Sequence, residues 1–527
     1  MTSTVTLVLL AAMMMPPIAA AAGVGRIVAA RETDRSRSAL LIAARASWLS
    51  FAAAVLTVGL TIGGLAAANV WPFRLDGAAM VVLPLITLMA AIVAQFAVNY
   101  MAADRRPVVF TRRFLLLLAS ILGVAVSADA VIFVGFWVAT GPLLAALIGH
   151  VRGWPAAAAA RRRTIRSFWL GDSALILGVG ILVGVTGTSS IAGIAQNVAA
   201  APAWLVHVAL AGVLAGGLVR SAIYPAAGWL LTSMTAPTPV SALMHAGLVN
   251  AGGLVVALWL PVLQAAPTLF HILFVIGATT AVIGSMSMLL RPDVKRALGA
   301  STMSQMGFMI MQCGLGAMAH ALYHMVAHGL FKATLFLGAG GMVGTPRKPG
   351  PVDPRRATAI GAIVFIGASM AVLAVNRGAI DLSNPKWLLS AIAIIAAAQA
   401  ASTLARTGGG SRNAVRLVLV ITLAAGIYGT GVGLVTLALG SNAEVAAIRI
   451  GPFHWAVLAV FAGLWLAQTL LAARPSAIPP RLYMVLLSLG RGSARPGSAN
   501  PAAVDNQIQA EATENSPDLK NRSAAHA

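Results

Sequence analysis

His320, His324, His328 and Lys332 stand four residues apart in the segment AHALYHMVAHGLFKATLFL. Spacing of four stacks them on one helical face, with rungs about 6 Å apart. Imidazole exchanges protons near neutral pH, and a desolvated amine releases its proton more readily than an exposed one. A ladder of such groups, with water between them, is suited to passing protons. Two histidines at this spacing can also bind zinc, but no carboxylate or thiol lies nearby on the helix to complete a site. Hydrogen-bonded core histidines are the bland alternative. The proton path is favoured because ionisable groups inside apolar helices are costly and usually serve function.

Two further groups of polar residues interrupt apolar sequence. In PTPVSALMHAGLVNAGG, Pro237 and Pro239 bracket Thr238 at the start of a span, His245 lies mid-span, and Gly252 and Gly253 come late. These are the features of an interrupted helix, whose freed backbone groups can line a wet cavity. Asp172 in FWLGDSALI, near the start of one span, and Arg220, near the cytoplasmic end of another, form the second group. Buried, they are expected to pair; at helix ends they would instead reach the headgroups. The glycines Gly338 to Gly341 match no nucleotide-binding loop and read as helix packing.

The elements that position these residues must be membrane helices. The chain has 527 residues, of which 59% are hydrophobic and only 9% charged, against about a quarter charged in soluble domains. Runs of roughly 20 apolar residues predict an all-α integral membrane protein with about 14–15 transmembrane helices. Their centres fall near Ala12, Leu60, Met89, Ile121, Ala139, Gly178, Gly212, Val249, Ala278, Met306, Leu330, Gly367, Ile394, Ile427 and Phe461. The stretch Phe114 to Val151 is too long for one helix and is split at Asp129. Met1 to Ala22 lacks the basic start of a cleaved signal and reads as the first span.

Most of the 36 Lys and Arg fall in alternate gaps: Arg26 to Arg45, Arg105 to Arg113, Arg152 to Arg166, Arg291 to Arg296, Arg347 to Arg356, Arg406 to Arg416, and the C-terminal segment. By the positive-inside rule the N-terminus is outside and the C-terminus cytoplasmic. The same alternation accounts for the net charge of +22 without nucleic acid, since no aromatic residues interleave with the arginines. One cysteine, Cys313, excludes a disulfide framework within the chain. Four regions are expected: N-terminal helices over 1–126, a proton-conducting core over 127–345, C-terminal helices over 346–489, and a polar, disordered tail over 490–527.

These segments resemble a known family. RSAIYPAAGWLLTSMTAPTPVSALMHAGLVNAGG from Arg220, DVKRALGASTMSQMGFMIMQCGLG from Asp293 and ALYHMVAHGLFKATLFLGAG are similar to the antiporter-like subunits of respiratory complex I and multisubunit cation/proton antiporters. The similarity runs from Asp129 to Val343. It implies an antiporter-like fold and a proton route through His245, His324, His328, Lys332 and Asp172. Two residues depart from the family pattern: Arg220 stands where a lysine ends the seventh helix, and Val138 where a glutamate follows a tryptophan. Arginine stays protonated, so it biases neighbours without relaying protons. These departures, with the short C-terminus, resemble the DabB family, membrane subunits of bacterial inorganic-carbon transporters. That resemblance implies the bacterial inner (plasma) membrane and a DabA-like partner carrying zinc like that of a β-carbonic anhydrase. It also implies a coupling cation, H⁺ or Na⁺, and no cofactor in this chain. The chain is then a coupling subunit and not by itself an enzyme. A proton-pumping subunit of an NADH:quinone oxidoreductase-like complex, or a cation/proton antiporter subunit, is the alternative.

Overall fold

The computed structural model describes residues 2–29, 35–75, 77–289, 291, 294–339, 354–375, 383–405, 411–440 and 448–472. The polar tail over 490–527 lies outside these. The chain opens with α1 (Thr2–Ala29) and α2 (Arg35–Ile62), followed by a hairpin of β1 (Asn69–Val70) and β2 (Phe73–Arg74). Then come α3 (Gly77–Tyr100), α4 (Pro107–Val126), α5 (Ala130–Ile148), α6 (Pro155–Thr186), α7 (Ile191–Asn197), α8 (Ala203–Arg220) and α9 (Gly228–Thr232). The middle of the chain forms α10 (Thr238–Ala246), α11 (Ala251–Leu258), α12 (Leu260–Leu263), α13 (Thr268–Leu289), α14 (Val294–Gly314) and α15 (Met318–Gly338). The described part ends with α16 (Pro354–Val375), α17 (Pro385–Ala405), α18 (Ser411–Leu439) and α19 (Pro452–Ala472).

The described residues are all-α apart from the hairpin, and the chain passes the membrane many times. Among the described residues, nine spans are long and apolar enough to cross on hydropathy alone: α1 to α6, α8, α13 and the α10–α11 unit. Helices α14 and α15 have 21 residues each, but their lysine, arginine, glutamine and histidines lower their hydropathy. Each centre expected from the sequence falls on a helix except Val249, which lies in the turn joining α10 to α11. Burial places the layers: the α10–α11 span is 78% buried and α1 only 33%. The interrupted helix is therefore central, and α1 is peripheral.

Two boundaries differ from the sequence reading. Helix α2 begins at Arg35, so Arg35, Arg37 and Arg45 lie within it and not in the preceding gap. Helix α6 begins at Pro155 and contains Arg161, Arg162, Arg163 and Arg166. Long cationic side chains reach the headgroups from a helix that extends past the hydrocarbon, so they do not terminate it. In consequence Asp172 sits midway along the 32-residue α6 and does not open it.

The split at Asp129 has a local cause. Its Oδ1 accepts from the backbone N–H of Val131 at 2.8 Å and Ile132 at 2.9 Å, capping α5. Ser189 donates to its Oδ2 at 2.5 Å. On the other side of the bundle, Asp104 and His150 clasp the loops before α4 and α6 at 2.8 Å. Burial works to raise the Asp104 carboxyl, but the hydrogen bond and charge of His150 outweigh it and hold it below the usual value. A carboxyl shifted this way stabilises the fold at neutral pH, and the contribution is lost as pH falls through the lowered value.

Helices α13 and α14 meet through glycine. A Cβ on Gly307 would lie 2.4 Å from Ala281 N, and one on Gly277 would lie 2.4 Å from Met311 N. Small residues allow such backbone approach between membrane helices. Gly307→Val is therefore expected to force α13 and α14 apart. The check is thermal unfolding in detergent: a loss on the order of 2 kcal/mol, as for overpacked cores, against no loss if the contact is adjustable.

Candidate functional site

The central site is built where α10 breaks. Pro237 caps α10 and Pro239 lies in its first turn, so both prolines set where the helix starts. The interruption comes later, at Gly247, followed by a 3₁₀ turn over Leu248–Asn250 before α11 resumes. Backbone groups freed by the break are taken up by side chains. Asn250 Nδ2 donates to Ala246 O at 2.9 Å, Ser221 Oγ donates to Val249 O at 2.6 Å, and Gly252 N–H donates to Ser221 Oγ at 2.7 Å. This is how irregular backbone is tolerated at membrane depth. Gly252 and Gly253 serve close packing, since a Cβ would meet Ser221 Oγ at 2.7 Å and Met309 Sδ at 2.8 Å respectively.

His245, just before the break, is fully buried. Its ring stacks on Phe336 of α15 at 4.2 Å between centroids, and its Nδ1 lies 3.0 Å from Thr302 Oγ1 on α14. Thr302 spends its own hydrogen on Leu298 O at 2.9 Å. It therefore accepts from His245, which fixes the hydrogen on Nδ1 and leaves Nε2 as the basic atom. Nε2 is buried and has no hydrogen-bond partner among the described residues. Lys332 is also fully buried. Its Nζ donates to Ser301 Oγ at 2.8 Å and to Leu298 O at 3.4 Å. Leu298 O is thus shared: one α14 turn holds both His245 and Lys332. No carboxylate lies within ion-pair distance of Lys332 among the described residues.

The ladder on α15 is present but uneven. His328 is buried, and neither ring nitrogen has a hydrogen-bond partner among the described residues. Its ring centroid is 6.1 Å from that of His324, whose Nδ1 lies 3.1 Å from Gln312 Oε1. His320 is at the far end, where it meets Tyr428 of α18 at 6.2 Å. Among the described residues no three metal-ligating side chains come together.

Asp172 and Arg220 pair on the other side of the break. Arg220 Nη2 is 2.9 Å from Asp172 Oδ1 and 2.8 Å from Oδ2, and Nε is 3.2 Å from Oδ1. Trp137 Nε1 donates to the same Oδ1 at 2.8 Å, and Arg220 Nη1 donates to Thr140 Oγ1. The guanidinium lies over the Trp137 ring at 4.2 Å and over Phe168 at 5.0 Å. Val138 leaves no acid there; it packs against the apolar core. A cavity of about 40 Å³ connects Arg220, Thr140 and Trp137 to Gly247 and Asn250 of the break. At roughly 10–15 Å³ for one water, it has room for a few, and Asn250 Oδ1 has no hydrogen-bond partner among the described residues.

Sequence reasoning missed Ser301, Thr302, Gln312, Trp137 and Thr140. Hydroxyls in apolar helices usually bond their own backbone, as Thr87 does to Leu83 O and Thr186 to Leu182 O, so nothing in the residue types marked these out. Thr302→Val is expected to release the His245 tautomer. We expect a roughly three- to tenfold fall in cation flux, the worth of one hydrogen bond, with an altered pH profile and unchanged protein level. An unchanged profile would show that His245 is held by Phe336 alone.

A many-pass bundle with a central broken helix, a buried lysine and a buried ion pair defines an antiporter-like membrane module. Residues 127–367 match the family described as NADH:quinone oxidoreductase/Mrp antiporter, TM, and residues 60–114 match NADH-Ubiquinone oxidoreductase (complex I), chain 5 N-terminus. Residues 127–367 thus carry a domain similar to the membrane domain of that antiporter family. Within it, the chain resembles DabB subunits. It is 39% identical over 282 residues to the probable inorganic carbon transporter subunit DabB1 of Halothiobacillus neapolitanus, covering 50% of each chain. It is 37% identical over 289 residues to probable DabB of Bacillus subtilis, covering 52% of this chain and 55% of that one. NADH-quinone oxidoreductase subunit L of Mycobacterium tuberculosis is 35% identical over 274 residues, covering 51% and 43%. The chain spans about half the length of the curated relatives it matches. A chain of the Mrp complex from Dietzia sp. shares the fold with a TM-score of 0.62 at 21% identity, covering 99% of this chain and 61% of that one.

Proposed function

We propose that this chain is the membrane subunit of an energy-coupled inorganic-carbon transporter. Protons or another cation pass through the buried helices and drive hydration of carbon dioxide to bicarbonate in a zinc-binding, DabA-like partner. The chain lies in the bacterial inner membrane with its N-terminus outside and C-terminus cytoplasmic, as the alternation of arginines supports. Zinc chemistry belongs to the partner in this reading.

The observation that carries the proposal is Lys332, an amine buried with only neutral acceptors among the described residues, sharing one turn of α14 with His245 at the break. A buried lysine without a counter-ion has no structural justification in lipid. It can release and regain a proton without breaking an ion pair, and Ser301 Oγ and Leu298 O orient it in either state. His245 Nε2 is the nearby atom left basic by the Thr302 bond. Arg220, by contrast, is clamped by Asp172, Thr140 and Trp137. It supplies a fixed positive charge next to the cavity and holds no exchangeable proton. Fixed charge where the resemblance implies a relaying lysine favours coupling to a partner over a respiratory pump.

Complementation tests the reading. A carbonic-anhydrase-deficient bacterium expressing this chain with its zinc-binding partner is expected to grow in air, and either protein alone is not. Failure of the pair, with both present in the membrane fraction, would sink the proposal.

A further inference from the structure

Beyond the central site, the loop between α5 and α6 forms a second cavity, of about 570 Å³, lined by Arg152, Arg161, Arg162, Trp154 and Ile165 among others. The three arginines converge there with no acidic residue in the lining. Among the described residues none of the three is in an ion pair. The Arg161 stem is seated on the backbone: a Cβ on Gly149 would lie 2.9 Å from its Cδ. The preceding loop is fastened by the Asp104–His150 clasp and by Arg106 Nη2 donating to His150 O. Asp104, which fastens the loop, is therefore already engaged.

What continues below the cavity identifies the ligand class. Arg162 and Ile165 share a face of α6 with Trp169 and Ile176, at helical spacing. Trp169 is 57% exposed and Ile176 41%, with Leu170 at 76% and Leu177 at 66% beside them. Trp169 lies seven residues beyond Arg162, about 10 Å further into the span. A basic pocket at the helix mouth thus passes into an exposed apolar stripe along the same helix. A soluble anion would use only the pocket; a phospholipid uses both, with headgroup on arginine and chains on the stripe. Trp154, at 46% exposure, sits at the rim where amphipathic rings favour the interface.

We propose that this pocket binds the phosphate headgroup of an anionic phospholipid, with acyl chains lying along Trp169, Leu170 and Ile176. The lipid bridges the α5–α6 loop to the lower part of α6, and its site is separate from the cation path.

Native mass spectrometry of the detergent-purified chain tests this with phosphatidylglycerol, phosphatidylcholine of the same acyl chains, and inorganic phosphate as probes. Phosphatidylglycerol should be retained in preference to phosphatidylcholine. Retention should fall roughly fivefold for each arginine removed in R152Q/R161Q/R162Q, and stay unchanged in R166Q, whose side chain is outside the lining. If the triple variant is not monodisperse, R161Q alone should show the single-step loss. Equal retention of both lipids, or of phosphatidylglycerol by wild type and variant, overturns the proposal. So does displacement of the lipid by equimolar inorganic phosphate, which would make the pocket a free-anion site.

Discussion

Lys332→Ala is expected to reduce coupled transport to background while the protein still accumulates in the membrane. Removing an amine from an apolar site relieves a desolvation cost, so the fold has little to lose beyond a small cavity. The groups it leaves are neutral: Ser301 Oγ, and Leu298 O, which still accepts from Thr302. The path, however, loses its exchangeable group beside His245. Lys332→Arg is expected to fail equally, because arginine keeps the charge and does not release the proton. Transport assays normalised to membrane protein level are the check. Normal activity in Lys332→Ala would remove Lys332 from the path.

Arg220→Ala is the second large effect, and here stability and activity fall together. It leaves Asp172 buried, 4% exposed, with Trp137 as its remaining partner. Breaking a buried pair from one side costs about 3–5 kcal/mol, so the variant should lose folded protein as well as transport. Arg220→Lys keeps the charge but cannot reproduce the two-oxygen contact, the bond to Thr140 and the stacking on Trp137. We expect it to fold with reduced stability and partial activity. The double variant Arg220→Ala with Asp172→Ala should recover most of the lost stability, since neither charge is then orphaned. Thermal unfolding of wild type, Arg220→Ala, Asp172→Ala and the double variant in detergent gives the cycle. Additive losses would mean that the pair is not a unit.

The sequence carried much of this because membrane helices advertise themselves. Apolar runs bounded by arginine placed the helices, and the residues lipid should have excluded placed the site. Its limits have physical causes. Arginine can lie inside a helix and still reach the headgroups, so Arg35 and Arg161 read as loop residues when they belong to α2 and α6. That error also moved Asp172 towards a helix end, although its pairing with Arg220 was legible from charge alone. The break in α10–α11 was expected from Pro237, Pro239, Gly252 and Gly253. The chain in fact departs from the helix at Gly247, where the backbone is held by Ser221, a residue distant in sequence. Tertiary contacts of that kind leave no periodic trace. The same holds for Thr302, whose importance comes only from meeting His245 across two helices.

In the proposed function the buried Lys332–His245 group carries the cation movement that powers inorganic-carbon uptake. Its most direct measurement is labelled inorganic-carbon accumulation in carbonic-anhydrase-deficient cells expressing the chain with its partner, before and after a protonophore and with Lys332→Ala in parallel. Accumulation is expected in wild type, with collapse under the protonophore and none in Lys332→Ala at equal protein level. Accumulation by Lys332→Ala matching wild type would contradict it.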